Sequence, residues 1–259
     1  MNTVVRYAVD GAVARLTLDS PHNHNALSTA LVTQLRKGLA EATEDSGVRA
    51  VVLGHTGRTF CAGADLAESS AAGPDADPRD VAVDRAREMT QVLRLILELP
   101  VPVIGAIDGN VRAGGMGLVG ACDIVVAGPM STFALTEARI GVAPSIISLT
   151  LLPKLDPRAS GRYFVTGEKF GADEAARIGL ITLATDDVEG AVASLATDVA
   201  KGSPQGLATS KALTTAAILE GFDRHAEALV KQSARLFSSD EAREGMMAFL
   251  EKRPPRWVR

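Results

Sequence analysis

Three short runs, Ala50–Leu53, Val101–Ile107 and Ile124–Ala127, are apolar almost throughout. A strand without polar alternation must be covered on both faces, as in a parallel sheet packed between helices. Ser28 opens a helical stretch with Leu31, Leu35 and Leu39 on one face, closing before Gly47, and residues 84–99 also carry a helical pattern. Strand and helix taken in turn argue for an α/β fold with parallel or mixed sheets. The chain opens on a different unit: Val4–Val9 and Ala12–Leu18 flank Asp10-Gly11, a strong hairpin signal.

From about residue 145 helical patterns dominate, over 145–152, 158–165, 172–178, 188–200, 204–216, 221–237 and 240–251. Ser238 and Glu241 read as a capping box for the last of these. The chain therefore divides into a core, residues 1–200, and a helical C-terminal part, residues 201–259, of the kind that makes subunit contacts. One stretch, Ala67 to Asp80, is rich in Ala, Ser, Gly, Pro and Asp and reads as a mobile loop. Loops of that length are usually functional or disordered. No internal sequence repeat stands out.

Composition removes several function classes. A net charge of −4 and a pI near 5.6 give no basic field for nucleic acid or an anionic membrane surface. The first residues carry charges where a secretion signal needs an apolar run, and Ile146–Leu152 ends at Pro153, far short of a membrane span. Cys61 and Cys122 are the only cysteines, and neither has a nearby His. They read as reduced packing residues of a cytoplasmic protein. His22, His24, His55 and His225 fit no zinc spacing, so no metal and no separate cofactor is expected.

Gly115-Met116-Gly117-Leu118-Val119-Gly120 matches the dinucleotide fingerprint, yet its context is wrong. The fingerprint needs a strand ending at the first glycine and an acidic residue about 20 positions on. Here Asp108–Gly114 separates strand from glycine, and the next strand begins almost at once.

Two glycine-bearing loops carry the chemistry. Phe60–Leu66 follows the strand Ala50–Leu53, and Asp108–Gly117 follows Val101–Ile107. Each lies past the carboxyl end of a buried strand, where α/β folds place ligands. Their small residues let a ligand approach the backbone. The second loop leads into a short helix whose first N–H groups are unpaired and partially positive. Two such groups converging on one point form an oxyanion hole for a carbonyl oxygen that gains charge.

Taken together these motifs resemble the crotonase superfamily of enoyl-CoA hydratases and isomerases. The resemblance is carried by Asn25-Ala26-Leu27, Ala62–Leu66, Pro102–Gly109, Ala113-Gly114-Gly115, Ala121-Cys122-Asp123, Phe133, Glu137, Ile140-Gly141 and Phe249–Arg253. It implies an α/β spiral of ββα units with a helical C-terminal trimerisation part, assembled as a homotrimer or homohexamer. It implies an acyl-coenzyme A thioester as substrate, with the N–H groups of Ala64 and Gly114 as the oxyanion hole. Residues around His22–Asn25, His24 among them, with Arg58, Ala62, Asp65 and Leu66 would hold coenzyme A. Gly115 and Gly117 join the substrate-binding positions, and Lys252 or Arg253 would reach the nucleotide of a neighbouring subunit. The 67–80 segment would order beside the acyl group.

Hydratases of the family use two glutamates. The second corresponds to Glu137; the first corresponds to Gly117, which has no side chain. One carboxylate suffices to move a double bond, whereas added water loses an anchor. A closer resemblance, through Leu135–Ser148 and Gly117-Leu118, is to methylglutaconyl-CoA and isohexenylglutaconyl-CoA hydratases, whose substrates bring a second carboxylate. That carboxylate would replace the missing glutamate, received by Arg112 or Arg139. The resulting expectation is a hydratase-like lyase with Glu137 as acid and base. A double-bond isomerase and a silent acyl-CoA binder remain as alternatives. Acyl length and branching depend on walls built by residues 67–90 and 140–150.

Overall fold

The computed structural model describes residues 2–65, 68 and 77–258. Leu66, Ala67 and most of the loop expected up to Asp80 lie outside the described residues.

The hairpin forms as read: β1 (Val5–Asp10) pairs antiparallel with β2 (Val13–Leu18) around Gly11 at φ +56°. Helix α1 (Thr29–Glu44) starts at Ser28, whose side chain accepts from the Leu31 N–H. β3 (Ala50–His55) then lies parallel to β2. β5 (Val103–Ile107), β7 (Ile124–Ala127) and β10 (Leu183–Ala184) complete a six-stranded sheet in the order β1-β2-β3-β5-β7-β10.

Alternate residues of these strands serve two layers, which explains their apolar runs. Val51, Leu53, Val103, Ile107 and Val125 join the main core beneath α1 and α2 (Pro78–Glu98). Ala50, Val52, Ile104, Ala106 and Val126 face Val192 and Ala196 of α7 (Val188–Ala200). Both faces are covered, as the missing alternation requires.

A second sheet has no counterpart in the sequence reading. β4 (Thr59–Cys61), β6 (Asn110–Arg112), β8 (Thr132–Ala134) and β9 (Phe170–Gly171) form it in that order. Each of β3, β5 and β7 is followed within a few residues by a short strand of this second sheet, and α2 and α3 (Gly114–Ala121) follow the first two pairs. The fold is thus the expected spiral of ββα units. The repeat is one of geometry, since strands of three residues are too short to show a period.

The C-terminal half keeps α4 (Ser148–Leu151), α5 (Pro157–Thr166) and α6 (Ala172–Arg177) short. Several boundaries differ from expectation. Helix α2 begins at Pro78, not near 84, because Asp77 accepts from the Arg79 N–H and Pro suits the first turn. The two helices expected over 204–216 and 221–237 are one, α8 (Pro204–Phe237). Gly221 sits inside it with open space around its Cα; a helical glycine there costs about 1 kcal/mol, too little to break a helix packed along its length. α9 (Asp240–Leu250) is capped by Ser239, not Ser238, whose hydroxyl instead donates back to the Ala234 carbonyl.

Ile218, Phe222 and Val230 of α8 enter the main core, and buried Lys211 anchors the helix. Its Nζ donates to the carbonyls of Ile96 (2.7 Å) and Val101 (3.1 Å) and pairs with Asp123 at 2.7 Å. Among the described residues no helix is long and apolar enough to cross a membrane.

Candidate active site

The second sheet places the chemistry. β4, β6 and β8 are parallel neighbours, ending at Cys61, Arg112 and Ala134. Ala64, Gly114 and Glu137 follow those ends by three, two and three residues. Three groups far apart in sequence therefore emerge from the same edge of one small sheet, at the carboxyl ends where ligands are bound.

The two loops touch through their backbones. A Cβ on Gly63 (φ +93°) would lie 2.8 Å from the Ala113 Cβ and 3.4 Å from the Gly114 nitrogen. One on Gly115 would lie 2.8 Å from both the Cβ and the carbonyl oxygen of Cys61. Only glycine permits this approach. Ala113, the residue before α3, is held at φ +46°, ψ −118°. That region costs a non-glycine residue about 1–3 kcal/mol, and such strain gathers at functional sites. It turns the Gly114 N–H, the first of α3, out of the strand ladder. The backbone of Ala64 is fixed on its other side, since Leu27 N–H donates to Gly63 O at 2.7 Å. Among the described residues, neither the Ala64 nor the Gly114 N–H donates to a protein acceptor.

Glu137 opens a 3₁₀ turn, Glu137–Ile140, and is 7% exposed. Its Oε2 is buried with no hydrogen-bond partner. Burial pushes its carboxyl up to about 7, against the opposing pull of its own backbone N–H. The turn is gripped from behind: Gly141 (φ +78°) and Gly245 of α9 leave no room for a Cβ against the backbones of Glu241 and Ile140.

The positions expected to hold coenzyme A cluster in part. The His24 carbonyl accepts from the Ala62 N–H at 3.1 Å, and Asp65 Oδ2 accepts from Asn23 Nδ2 at 3.0 Å. Arg58 is exposed on the neighbouring turn, while its carbonyl accepts from Asn110 N–H at 3.0 Å. The tie between these loops is Asn25, fully buried. Its Oδ1 accepts from Ser20 N–H (2.6 Å), and its Nδ2 donates to Thr56 O (3.1 Å) and Thr59 O (2.7 Å). Sequence reasoning had Asn25 in a family motif and in the stretch expected to hold coenzyme A, without this tying role. Leu66 lies outside the described residues.

The sequence pattern of the enoyl-CoA hydratase/isomerase family matches residues 8–259. The chain belongs to that family. A crystal structure of an enoyl-CoA hydratase from Mycobacterium avium is 65% identical, with a TM-score of 0.92 over 100% of both chains. The "Probable enoyl-CoA hydratase" of Rhodobacter capsulatus is 34% identical over 98% of this chain and 97% of its own length. The carnitinyl-CoA dehydratase of Proteus mirabilis is 30% identical, covering 99% of each.

Within this family the setting of Gly117 is informative. A Cβ there would lie 2.5 Å from Ile147 Cγ2 and 3.1 Å from Met89 Cε, and the Gly117 carbonyl accepts from Thr150 Oγ1 at 3.2 Å. Carbon atoms fill the space a side chain at 117 would take. Met89 and Ile147 fall in the two windows expected to wall the acyl group, although sequence did not single them out.

The arginines expected to receive a second carboxylate are engaged elsewhere. The Arg112 guanidinium donates to Val111 O (2.8 Å), Thr132 O (2.6 Å), Asn110 Oδ1 (3.2 Å) and Thr132 Oγ1 (2.7 Å). Exposed Arg139 donates to Thr166 O at 3.0 Å. Arg253, expected to reach a nucleotide, pairs with Glu244 at 2.7 Å and Glu251 at 2.6 Å. Burial pushes the Cys61 and Cys122 thiols up to about 12, so neither offers a thiolate near neutral pH.

Proposed function

We propose that the chain acts on an acyl-coenzyme A thioester as a hydratase-type lyase. The amides of Ala64 and Gly114 hold the thioester oxygen, and Glu137 moves the proton. The observation that carries this reading is the buried carboxyl of Glu137, the only buried one among the described residues, poised near 7 at the same sheet edge as two unpaired amides. The names of relatives, a hydratase and a dehydratase of coenzyme A thioesters, support the direction.

In the hydration step the ionised Glu137 takes a proton from water as the oxygen bonds to Cβ. The C=C electrons pass to the thioester oxygen, where the two amides meet the new charge. The protonated Glu137 then returns that proton to Cα as the carbonyl reforms. The balance is one water added. Each amide donor is worth about 10²–10³ in rate, and the carboxyl about 10²–10⁴. His24, Arg58, Ala62, Asp65, Leu66, Gly115 and Gly117 serve coenzyme A and the substrate. No metal or separate cofactor takes part. Residues 201–259 build a homotrimer or homohexamer, and the protein works in the cytoplasm.

A second reading, double-bond isomerisation, is favoured by the carbon that fills the space beside Gly117. A water at Cβ then has one carboxylate to orient it, whereas a proton shuttled between Cα and Cγ needs no more than one. Crotonyl-CoA, a 3-enoyl-CoA and methylglutaconyl-CoA, each followed by absorbance of the conjugated thioester, separate the readings. Falling absorbance marks hydration and rising absorbance isomerisation. Saturable binding without change marks a silent binder and overturns both.

A further inference from the structure

Gly114 and Gly117 are three residues apart on α3, so they present one helix face. Across that face lies a single flexible side chain. Met89 Cε, from α2, is 3.7 Å from where a Cβ of Gly114 would stand and 3.1 Å from that of Gly117. Leu27 Cδ1 closes in on Gly114 at 2.7 Å on the same construction, and Ile147 Cγ2 closes on Gly117. The side chains nearest this helix face at both positions are therefore hydrocarbon and thioether. Ile147 is β-branched and 4% exposed, a fixed floor. Met89 is half-buried, with three rotatable bonds, and yields readily.

We infer that Met89 and Ile147 form the wall that selects the acyl group, favouring uncharged hydrocarbon chains over acyl groups with a second carboxylate, and that Met89 sets the length limit. This rests on the acyl-CoA reading above. An acyl chain whose carbonyl oxygen sits at the Gly114 amide has its next carbons against these two side chains. Among the described residues the atoms nearest this face include no cation, so a carboxylate there would be stripped of water without a partner. Of the arginines expected for that task, Arg112 has both terminal nitrogens on Val111, Thr132 and Asn110, and Arg139 is exposed with its Nε on the Thr166 carbonyl. A buried charge without a partner is excluded far more strongly than a spare methylene.

The test is kcat/KM for 2-enoyl-CoA thioesters of four to ten carbons and for methylglutaconyl-CoA. It is measured on the whole chain and on its Met89→Ala and Met89→Phe variants. The natural chain is expected to prefer the best uncharged thioester by about 100-fold over methylglutaconyl-CoA. Met89→Ala should raise the eight-carbon to four-carbon ratio about tenfold, and Met89→Phe should lower it by a similar factor. A preference for methylglutaconyl-CoA, or a ratio that neither variant moves, overturns the inference. Should no thioester be turned over, the proposed function fails while the wall remains testable. The Kd ratio of octanoyl-CoA to butyryl-CoA, by calorimetry, must then follow the same substitutions; if it does not, the wall is wrong as well.

Discussion

Positions 117 and 137 differ in what surrounds them. At Gly117 the space for a side chain is filled by Ile147 and Met89, and the Gly117 carbonyl accepts from Thr150. At Glu137 a carboxyl oxygen is buried without a partner. One place is packed with carbon, and the other holds a group that destabilises the fold. Buried polar atoms are nearly always satisfied in folded proteins. An unsatisfied buried carboxyl costs stability, whereas the packed carbon beside Gly117 does not.

The largest test removes the charge. Glu137→Gln should lower turnover by at least about 10²–10⁴ while leaving the acyl-CoA Kd unchanged. In the natural chain kcat/KM should rise tenfold per pH unit up to about 7 and level off above, because the base must be ionised. Stability follows with opposite sign. The carboxyl is raised in the folded state from 4.5 to about 7. Its protonated form is tolerated below about pH 4.5, and stability is lost as pH rises through 7. Glu137→Gln should therefore gain on the natural chain by about 3 kcal/mol between pH 4 and pH 8, read from urea midpoints. Equal pH dependence of the two proteins would contradict the burial argument.

Next in size is an attempt to make the two positions alike. Gly117→Glu alone has no room beside Ile147 and should cost about 1–3 kcal/mol or more. A simple gain in crotonyl-CoA hydration, which sequence alone invites, is not expected from it. Paired with Ile147→Ala it should recover stability and hydrate crotonyl-CoA faster than the natural chain. No recovery in the pair would mean that Ile147 is not what excludes the side chain.

Smaller effects probe the support of Glu137. Gly245→Ala drives a methyl into the Ile140 backbone. It should cost about 1–3 kcal/mol and lower kcat more than KM changes, since the turn bearing Glu137 is displaced. The smallest expected change is Ala113→Gly, which relieves the φ +46° strain and should raise stability by no more than about 1 kcal/mol. A loss of more than that would show that the Ala113 backbone is not strained as described.

Much of this was legible from residues. The hairpin rests on Asp10-Gly11, α1 on Ser28, and β7 on an apolar run whose ends match Ile124–Ala127. The order of the glycine loops and Glu137 was readable as a family pattern. The second sheet was not, because Thr59–Cys61, Asn110–Arg112 and Thr132–Ala134 are shorter than any period they could display. The engagement of the arginines at 112 and 139 was not legible because their neutral acceptors, Thr132 and Thr166, lie 20 and 27 residues away.

The sequence by itself determined which backbones are covered on both faces, where glycine lets loops approach, and that position 117 carries no side chain. Those are properties of single residues and short runs. What packs against Gly117 was decided by tertiary structure alone. Ile147 and Met89 come from segments thirty residues after and twenty-eight before Gly117, and their meeting depends on how α2 and the residues before α4 pack on α3. Close packing is a relation among distant side chains, and no local pattern encodes it.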